Sequence, residues 1–554
     1  MAKKQVFMVE SGNELAALAA SQINYHVMGY FPITPSTQIA EYLDELKAKG
    51  ENTVNMVPGD GEHGAAGISY GAATAGGRVL NATSANGLLY AMEQLPVQSG
   101  TRFPMVLNVI NRSVSGPLDI KCDHSDIMMA LNTGWLILMA KDPQEVYDMN
   151  ICAPKIGEDE EVRLPVIVSS DGFFTSHQKR RVEIFEDRKD VQNFIGPYKE
   201  VFSTVNSKEP ITVGCYMNDP DLGNNHVQLA EAVKGAKKVI KKVFKEFKDF
   251  AGREYDVVGE YQTSDADVIL MAVGSSVNTI ITAVDNLRAK GQKVGVVWPR
   301  IIRPFPTEEL NAAVKNAKLV VALDRQDTYS GLGGNLSIEL RAGLHLEGIN
   351  TPVLTQVYGL GGKELSIEEA EGIFAKGFDT IDEKAKEIMM YLESHFRPGQ
   401  KGGCIPKGLA PLETDDVENA IEIQMGDNNK LEVKKVNLRN LTGQAKRFTP
   451  GHGACTGCGI FSGLNTFMRG ITGHVVVLFQ TGCAMVVSTG YPYSNHRVTY
   501  IHNLFQNGAA TISGVSEMFK ERQRRGEIPM DEEITFIMVT GDGGADIGMG
   551  PIVG

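Results

Sequence analysis

Short apolar runs, each closed by turn residues, recur along roughly the first 390 residues of the chain. TVNMVP, RVLNAT, PMVLNVI and LPVIVSS form one group, and VILMAVG, KLVVALD and PVLTQVYGL a second. Runs of this length without polar alternation read as strands buried on both faces. Helical periodicity, as in GNELAALAASQINYHV, stands between them. The alternation predicts α/β domains with largely parallel sheets covered by helices. At 554 residues the chain is too long for one core, and three or four domains are expected.

The breaks fall where composition changes. Residues 1–245 read as one α/β unit and 255–392 as another. Residues 393–445, with HFRPGQKGGCIPKGLAPLETDD near their start, turn Pro/Gly-rich and then polar, as a linker or extended arm does. A third α/β segment, 446–554, stops at GMGPIVG just after a strand and turn. No terminal helix closes its sheet, so the chain is expected to be cut there or completed by another polypeptide. The Lys-rich stretch EAVKGAKKVIKKVFKEFKDF carries apolar residues at helical spacing and reads as a solvated helix packed on its own domain.

The net charge of −13 argues against a nucleic-acid partner, because phosphate affinity needs clustered Lys and Arg. No apolar run is long enough for a membrane span, and the N-terminus lacks the pattern of a secretory signal, so a cytoplasmic protein is expected. Seven cysteines, unevenly spaced, do not read as a disulfide framework. Cys122, Cys152, Cys215 and Cys404 read as free thiols.

The remaining three gather late in the chain: Cys455 and Cys458 in GHGACTGCG, and Cys483 in QTGCA. Spacing alone leaves open an iron–sulfur site or a zinc site completed by His452 or His474; a redox pair fits the distant third thiol poorly. Farther on, EITFIMVTGDGGADIG reads as a buried strand entering the turn Gly541-Asp542-Gly543. That is the end of an α/β strand where ligands bind, a carboxylate there holds Mg²⁺, and glycines let backbone N–H groups approach a diphosphate. A purely structural turn explains the tripeptide as well.

In the first unit, Glu62 opens a helix rich in Gly and Ala in GDGEHGAAG, so its carboxylate is expected in a tight, poorly hydrated place. Thr34 and Ser36 in ITPST offer hydroxyls in a Pro-restricted turn. Arg112 follows an apolar strand, where its guanidinium grips a substrate carboxylate or makes a structural ion pair. His63 and His124 read as hydrogen-bonded structural histidines. The turns Gly274–Ser276 and GLGGN from Gly331 invite a phosphate-loop reading, yet tight βα turns account for them too.

Together, YFPITPST, GEHGAAG, NRSVSGPLDIKCDHSD, GLGG, RFTPGHGACTGCG, TGC, YPYSNHRVTYIHNLFQNGAA and GDGGADIG resemble the 2-oxoacid:ferredoxin oxidoreductases, in the order of that family's α-subunit followed by the first half of its β-subunit. The resemblance implies a pyrimidine-binding thiamine diphosphate domain (1–245), a transketolase C-terminal-like domain (255–392) and part of a diphosphate-binding domain (446–554). It implies thiamine diphosphate and Mg²⁺, a [4Fe–4S] cluster on Cys455, Cys458 and Cys483, and coenzyme A as co-substrate. Glu62 matches the family's glutamate on the aminopyrimidine ring. Asp542 matches its Mg²⁺ ligand, flanked by Gly541 and Gly543, and Thr34 and Arg112 match groups at the keto-acid head.

The implied reaction is oxidative decarboxylation of a 2-oxoacid, pyruvate first, to acyl-CoA and CO₂ with electrons passed to ferredoxin, reversible as CO₂ fixation in anaerobic metabolism. Branched-chain or aryl oxoacids are the alternatives within the family. A non-redox decarboxylase with structural zinc and a non-catalytic assembly protein are the alternatives outside that chemistry. The family's Asn-containing segment after the Gly-Asp-Gly turn and its fourth cluster cysteine have no counterpart here. An oligomer with further subunits, or a continuation of the chain, is therefore expected.

Overall fold

The computed structural model describes residues 3–206, 208, 211–381, 389–391, 421–426, 430–437, 439, 446–471, 473–489, 495–503 and 508–541. The chain divides into two compact units, Met1–Phe396 and Arg397–Gly554, each considered by itself below.

The first unit holds two large sheets. In spatial order the seven strands of one are Ile301–Arg303, Leu136–Ala140, Val166–Asp171, Val106–Asn111, Val79–Thr83, Val27–Tyr30 and Asn55–Pro58. All neighbours run parallel except Ile301–Arg303, which pairs antiparallel with Leu136–Ala140. The second sheet orders Met389–Tyr391, Val353–Val357, Leu319–Asp324, Val268–Met271, Val294–Pro299 and Val258–Tyr261, antiparallel only at its last pair. Strands such as Val106–Asn111 and Leu319–Asp324 are buried at every residue, which is why they read as unbroken apolar runs.

The chain crosses between sheets within three residues. Val294–Pro299 lies in the second sheet and Ile301–Arg303 on the edge of the first, although both fall in the segment expected to form the middle domain. Arg300, between them, donates from Nε to Glu145 Oε1 at 3.0 Å in a buried position. The Lys-rich helix Asp221–Ala251 buries Ala232, Ala236, Val239, Ile240, Val243, Phe244, Phe247 and Ala251 along one face, in the same core as the first sheet. Its lysines turn outward, and Lys241 pairs with Glu309 at 2.8 Å. No helix of the described residues is long and apolar enough to cross a membrane.

The second unit contains a parallel three-stranded sheet, Thr499–Asn503, His474–Gln480 and Ile534–Val539, with a small core of Val476, Leu478 and Ile512. Within the stretch read as a linker, Ile421–Met425 and Leu431–Val436 form an antiparallel hairpin. Their alternation of apolar and polar residues fits paired strands, and the apolar members Ile423, Met425, Leu431 and Val433 are exposed.

Candidate active site

The carboxyl ends of the first sheet's strands converge on Glu62, Arg112 and Thr34. Glu62 is the first residue of the helix Glu62–Thr74 and is only 4% exposed. Burial pushes its carboxyl up to about 7, against smaller opposing effects from its own backbone N–H and the nearby Arg112 guanidinium. Glu62 Oε1 is enclosed and meets no hydrogen-bond donor among the described residues. Room for it is made by Gly87 of the short helix Ala85–Tyr90: a Cβ there would stand 2.6 Å from Thr83 Oγ1 and 2.7 Å from Glu62 Oε1. Beside Glu62 lies a small cavity of about 20 Å³, also lined by Ser69, Thr83 and Gln98.

Arg112, 2% exposed, leaves the end of strand Val106–Asn111. Its Nη1 donates to the Thr34 carbonyl at 2.9 Å and its Nε to the Asp119 carbonyl at 3.2 Å. No carboxylate among the described residues lies within 4.0 Å of the guanidinium, so its charge is buried without an ion pair. Burial lowers its pKa, with Asp126, Asp119 and Glu62 acting against that. Among the described residues Arg112 is thus held by two backbone carbonyls rather than by an ion pair. Thr34 is exposed and meets Arg112 through its carbonyl, whereas the Ser36 hydroxyl is used in its own turn, donating to Ile33 at 2.9 Å.

Sequence reasoning missed Asp126. Fully buried, it accepts from the backbone N–H groups of Ala85 at 2.9 Å, Arg112 at 3.0 Å and Ile127 at 2.7 Å, which fixes the start of the helix carrying Gly87 and the loop carrying Arg112. Burial pushes its carboxyl up to about 7. Its place in CDHSD, in the first turn of the short helix Ser125–Met129, is the only sequence signal it gives. His63 pairs with Glu93 at 2.6 Å, as a structural histidine does.

The two Gly turns of the second sheet carry anions supplied by the protein itself. Ser275 donates from its backbone N and its hydroxyl to Asp171 Oδ2, at 3.0 and 2.7 Å. At the other turn, Leu336 N donates to the buried Asp324 at 3.0 Å. At each turn a backbone N–H that a phosphate could use is thus already engaged by a carboxylate. Burial pushes Asp171 up, but His124, Arg325 and Ser275 overcome it and hold the carboxyl well below the usual range. Cys122, His124 and Asp171 bring ligand atoms within 4.8 Å of one another. Arg325 Nη1 sits 3.0 Å from Asp171 Oδ2, so the trio belongs to a closed polar network facing a cation. The thiols of Cys122 and Cys152 are buried, and burial raises both; Cys215 is exposed, and Cys404 lies outside the described residues.

In the second unit, Cys455, Cys458 and Cys483 are all exposed. The CxxC pair occupies a turn in which Cys458 N donates to Cys455 O at 3.1 Å. Cys483 opens the helical turn Cys483–Val486 after strand His474–Gln480. A hydrogen bond from Gly453 N to Val487 O, 3.0 Å, joins the two segments. The three sulfurs do not gather within 4.8 Å of one another. His452 stacks on Phe461, with centroids 4.4 Å apart, and His474 is exposed at the start of its strand. Strand Ile534–Val539 runs parallel to His474–Gln480 with Val539 opposite Phe479, so Gly541 and Cys483 follow the same ends of adjacent strands. Asp542 and Gly543 lie outside the described residues.

Residues 18–245 match the family model described as pyruvate flavodoxin/ferredoxin oxidoreductase, thiamine diphosphate-binding. Residues 266–370 match pyruvate:ferredoxin oxidoreductase core domain II. The chain is 38% identical over 364 residues to the pyruvate synthase subunit PorA of Thermotoga maritima, covering 66% of this chain and 92% of that subunit. It is 35% identical over 363 residues to its Pyrococcus furiosus counterpart, covering 66% and 91%. The ketoisovalerate oxidoreductase subunit VorA of Pyrococcus horikoshii is also 35% identical, over 366 residues, covering 66% and 92%. A solved 2-oxoglutarate:ferredoxin oxidoreductase from Magnetococcus marinus, with 2-oxoglutarate, coenzyme A and succinyl-CoA bound, superposes with a TM-score of 0.52 at 20% identity. That likeness, one of fold, covers 68% of this chain and 65% of the other. On the two family matches and the identity to near-complete subunits, the chain belongs to the 2-oxoacid:ferredoxin oxidoreductases.

Proposed function

We propose that this chain takes part in the oxidative decarboxylation of pyruvate to acetyl-CoA and CO₂, two electrons passing through a [4Fe–4S] cluster to ferredoxin. The observation that carries the reading is a buried arginine with no carboxylate within 4.0 Å among the described residues, bonded to the Thr34 carbonyl, and a buried glutamate with an oxygen that finds no donor among them. A cation buried without an anion is costly and points to a ligand that brings one. The carboxylate common to all 2-oxoacids supplies it.

Two N–H groups of Arg112 are used on Asp119 and Thr34, which leaves donors for a bidentate grip on the substrate carboxylate. Held so, the keto carbon is oriented before reaction, and much of the association entropy is offset in binding. Glu62 fits the aminopyrimidine of thiamine diphosphate: its Oε1 lacks a donor, and a carboxyl pushed to about 7 shares a proton with a ring nitrogen at neutral pH. Thiamine diphosphate, when bound, supplies the electron sink for loss of CO₂. Asp542, with Gly541 and Gly543, is proposed as the Mg²⁺ and diphosphate turn.

The thiols favour a polynuclear cluster over zinc. A tetrahedral zinc site holds its sulfurs about 3.8 Å apart. Here three exposed thiols stand on two hydrogen-bonded segments without closing to 4.8 Å. A cluster of four irons, whose thiolate ligands stand farther apart than those of a zinc site, suits three thiols that do not close to 4.8 Å. In the test, the assembly is purified without air and given pyruvate, coenzyme A and oxidised ferredoxin. Iron-dependent visible absorbance and coenzyme A-dependent ferredoxin reduction are expected. Zinc without iron, with acetaldehyde as product, overturns the redox reading. Because VorA is nearly as similar as PorA, kcat/KM for pyruvate against 2-oxoisovalerate decides the substrate.

A further inference from the structure

We infer that Arg325, on the second sheet, is a positioning residue that fixes the aim of the Arg112 guanidinium; the inference rests on the proposed role of Arg112 as the carboxylate clamp. Arg112 Nε is held by the Asp119 carbonyl at 3.2 Å, and Ser113 N by the Lys121 carbonyl at 2.9 Å. The direction of the guanidinium therefore depends on where residues 117–121 lie.

Those residues rest on a turn that follows strand Val353–Val357 of the second sheet. Gly361 and Gly362, at φ 63° and 74°, form the contact. A Cβ on Gly362 would stand 2.2 Å from Lys121 Cβ, and one on Gly361 3.1 Å from Asp119 Oδ2. Arg325 holds this turn from beneath, donating from Nε to the Gly359 carbonyl and from Nη2 to the Lys363 carbonyl, both at 3.3 Å.

The same residue secures the far end of the loop. Its own carbonyl accepts from His124 N at 2.8 Å, and its Nη1 donates to Asp171 Oδ2 at 3.0 Å. Asp171 also meets His124 Nε2 at 2.9 Å and stands opposite Asn111, the residue before Arg112, in the paired strands. Arg325, 2% exposed, thus ties both ends of the Arg112 loop to the second sheet, one through its side chain on the Gly359–Lys363 turn and the other through its carbonyl and its bond to Asp171.

Arg325→Lys keeps a cation beside Asp171 but cannot span the Gly359 and Lys363 carbonyls together. Gly362→Ala disturbs the same contact from the half-buried turn, away from the Asp171 network. In the assembly loaded with thiamine diphosphate, each is expected to raise KM for pyruvate about 10-fold, with kcat within threefold and thiamine diphosphate affinity unchanged. Amides of Ser113–Lys121 are expected to exchange hydrogen faster in both variants. In an Arg112→Ala background, neither change should raise KM further. If Arg112→Ala raises KM but the other two leave it unchanged, or multiply fully with it, Arg325 has no positioning role and the clamp reading stands. If Arg112→Ala itself leaves KM unchanged, the clamp reading fails and the inference falls with it.

Discussion

Gly87→Ala separates the function of the Glu62 pocket from its contribution to stability. The added Cβ would stand 2.6 Å from Thr83 Oγ1, 2.7 Å from Glu62 Oε1 and 2.8 Å from Glu62 Cγ, inside the 3.0 Å that real contacts respect. Thr83 is β-branched on a buried strand and turns with difficulty, so the longer Glu62 side chain must swing. Overpacking costs roughly 1–3 kcal/mol, and alanine in place of glycine in a helix returns up to about 1 kcal/mol. A net loss of about 0–3 kcal/mol is therefore expected, a shift of only a few degrees in Tm for a unit of this size. Displacing a proton-sharing carboxylate by about 1 Å costs on the order of 100-fold in rate. The assay is ferredoxin reduction by the assembly at saturating thiamine diphosphate, alongside thermal denaturation of the same sample. Gly67→Ala on the Glu62 helix is the control, since its Cβ meets nothing within 4 Å. A folded Gly87→Ala enzyme with kcat within twofold of the parent would refute the assigned role of the Glu62 carboxylate.

Glu62→Gln should abolish turnover while leaving iron content unchanged, and it should also flatten the pH dependence of stability. The folded carboxyl titrates near 7 against an ordinary 4.5, so the folded state keeps a proton that the unfolded chain has released. Stability then falls as pH rises through that window, by about 3 kcal/mol at most. Melting curves at pH 5 and pH 8 should lie closer together in the variant; parallel shifts in parent and variant would refute the buried-acid assignment. Replacing Cys455, Cys458 or Cys483 by Ala should each lower bound iron and ferredoxin reduction severely, measured on anaerobic preparations, and full iron retention in any one removes that residue from the cluster. Asp171→Asn should destabilise the protein by about 3–5 kcal/mol in denaturant titration, because it leaves Arg325 buried without its anion.

The strands were legible because burial on both faces writes them as apolar runs. Glu62, Thr34 and Arg112 stand out individually for the same reason: each is a polar group at the edge of such a run or of a small-residue helix. Their partners left no trace in the sequence. Arg112 is held by backbone carbonyls, which every residue possesses, and Asp171 meets Arg325 across 154 positions. The crossing of Ile301–Arg303 onto the first sheet was hidden because three apolar residues do not say which sheet they join. The hairpin at 421–436 was hidden by its polar, Gly- and Pro-rich surroundings. The cysteine spacing invites a metal-centre reading without giving its kind, since iron–sulfur and zinc sites share the CxxC pattern.

Three buried carboxylates of the first sheet show why only one of them invites a ligand. Asp126 is pushed to about 7 by burial, yet three backbone N–H groups converge on it, so its work is to hold loops. Asp171 is equally buried but faces Arg325, His124 and Ser275, which keep it ionised and leave it no capacity to exchange a proton near neutral pH. Glu62 is likewise raised to about 7, but its Oε1 has no donor among the described residues and Gly87 keeps the space beside it clear. An unsatisfied buried oxygen costs about 1–3 kcal/mol, a penalty that a hydrogen-bonding ligand removes. Arg112 carries the complementary debt, a buried cation with no carboxylate within 4.0 Å of its guanidinium among the described residues. A ligand set that brings a ring nitrogen to one and a carboxylate to the other relieves both, and a 2-oxoacid beside thiamine diphosphate meets that requirement where a neutral aldehyde does not.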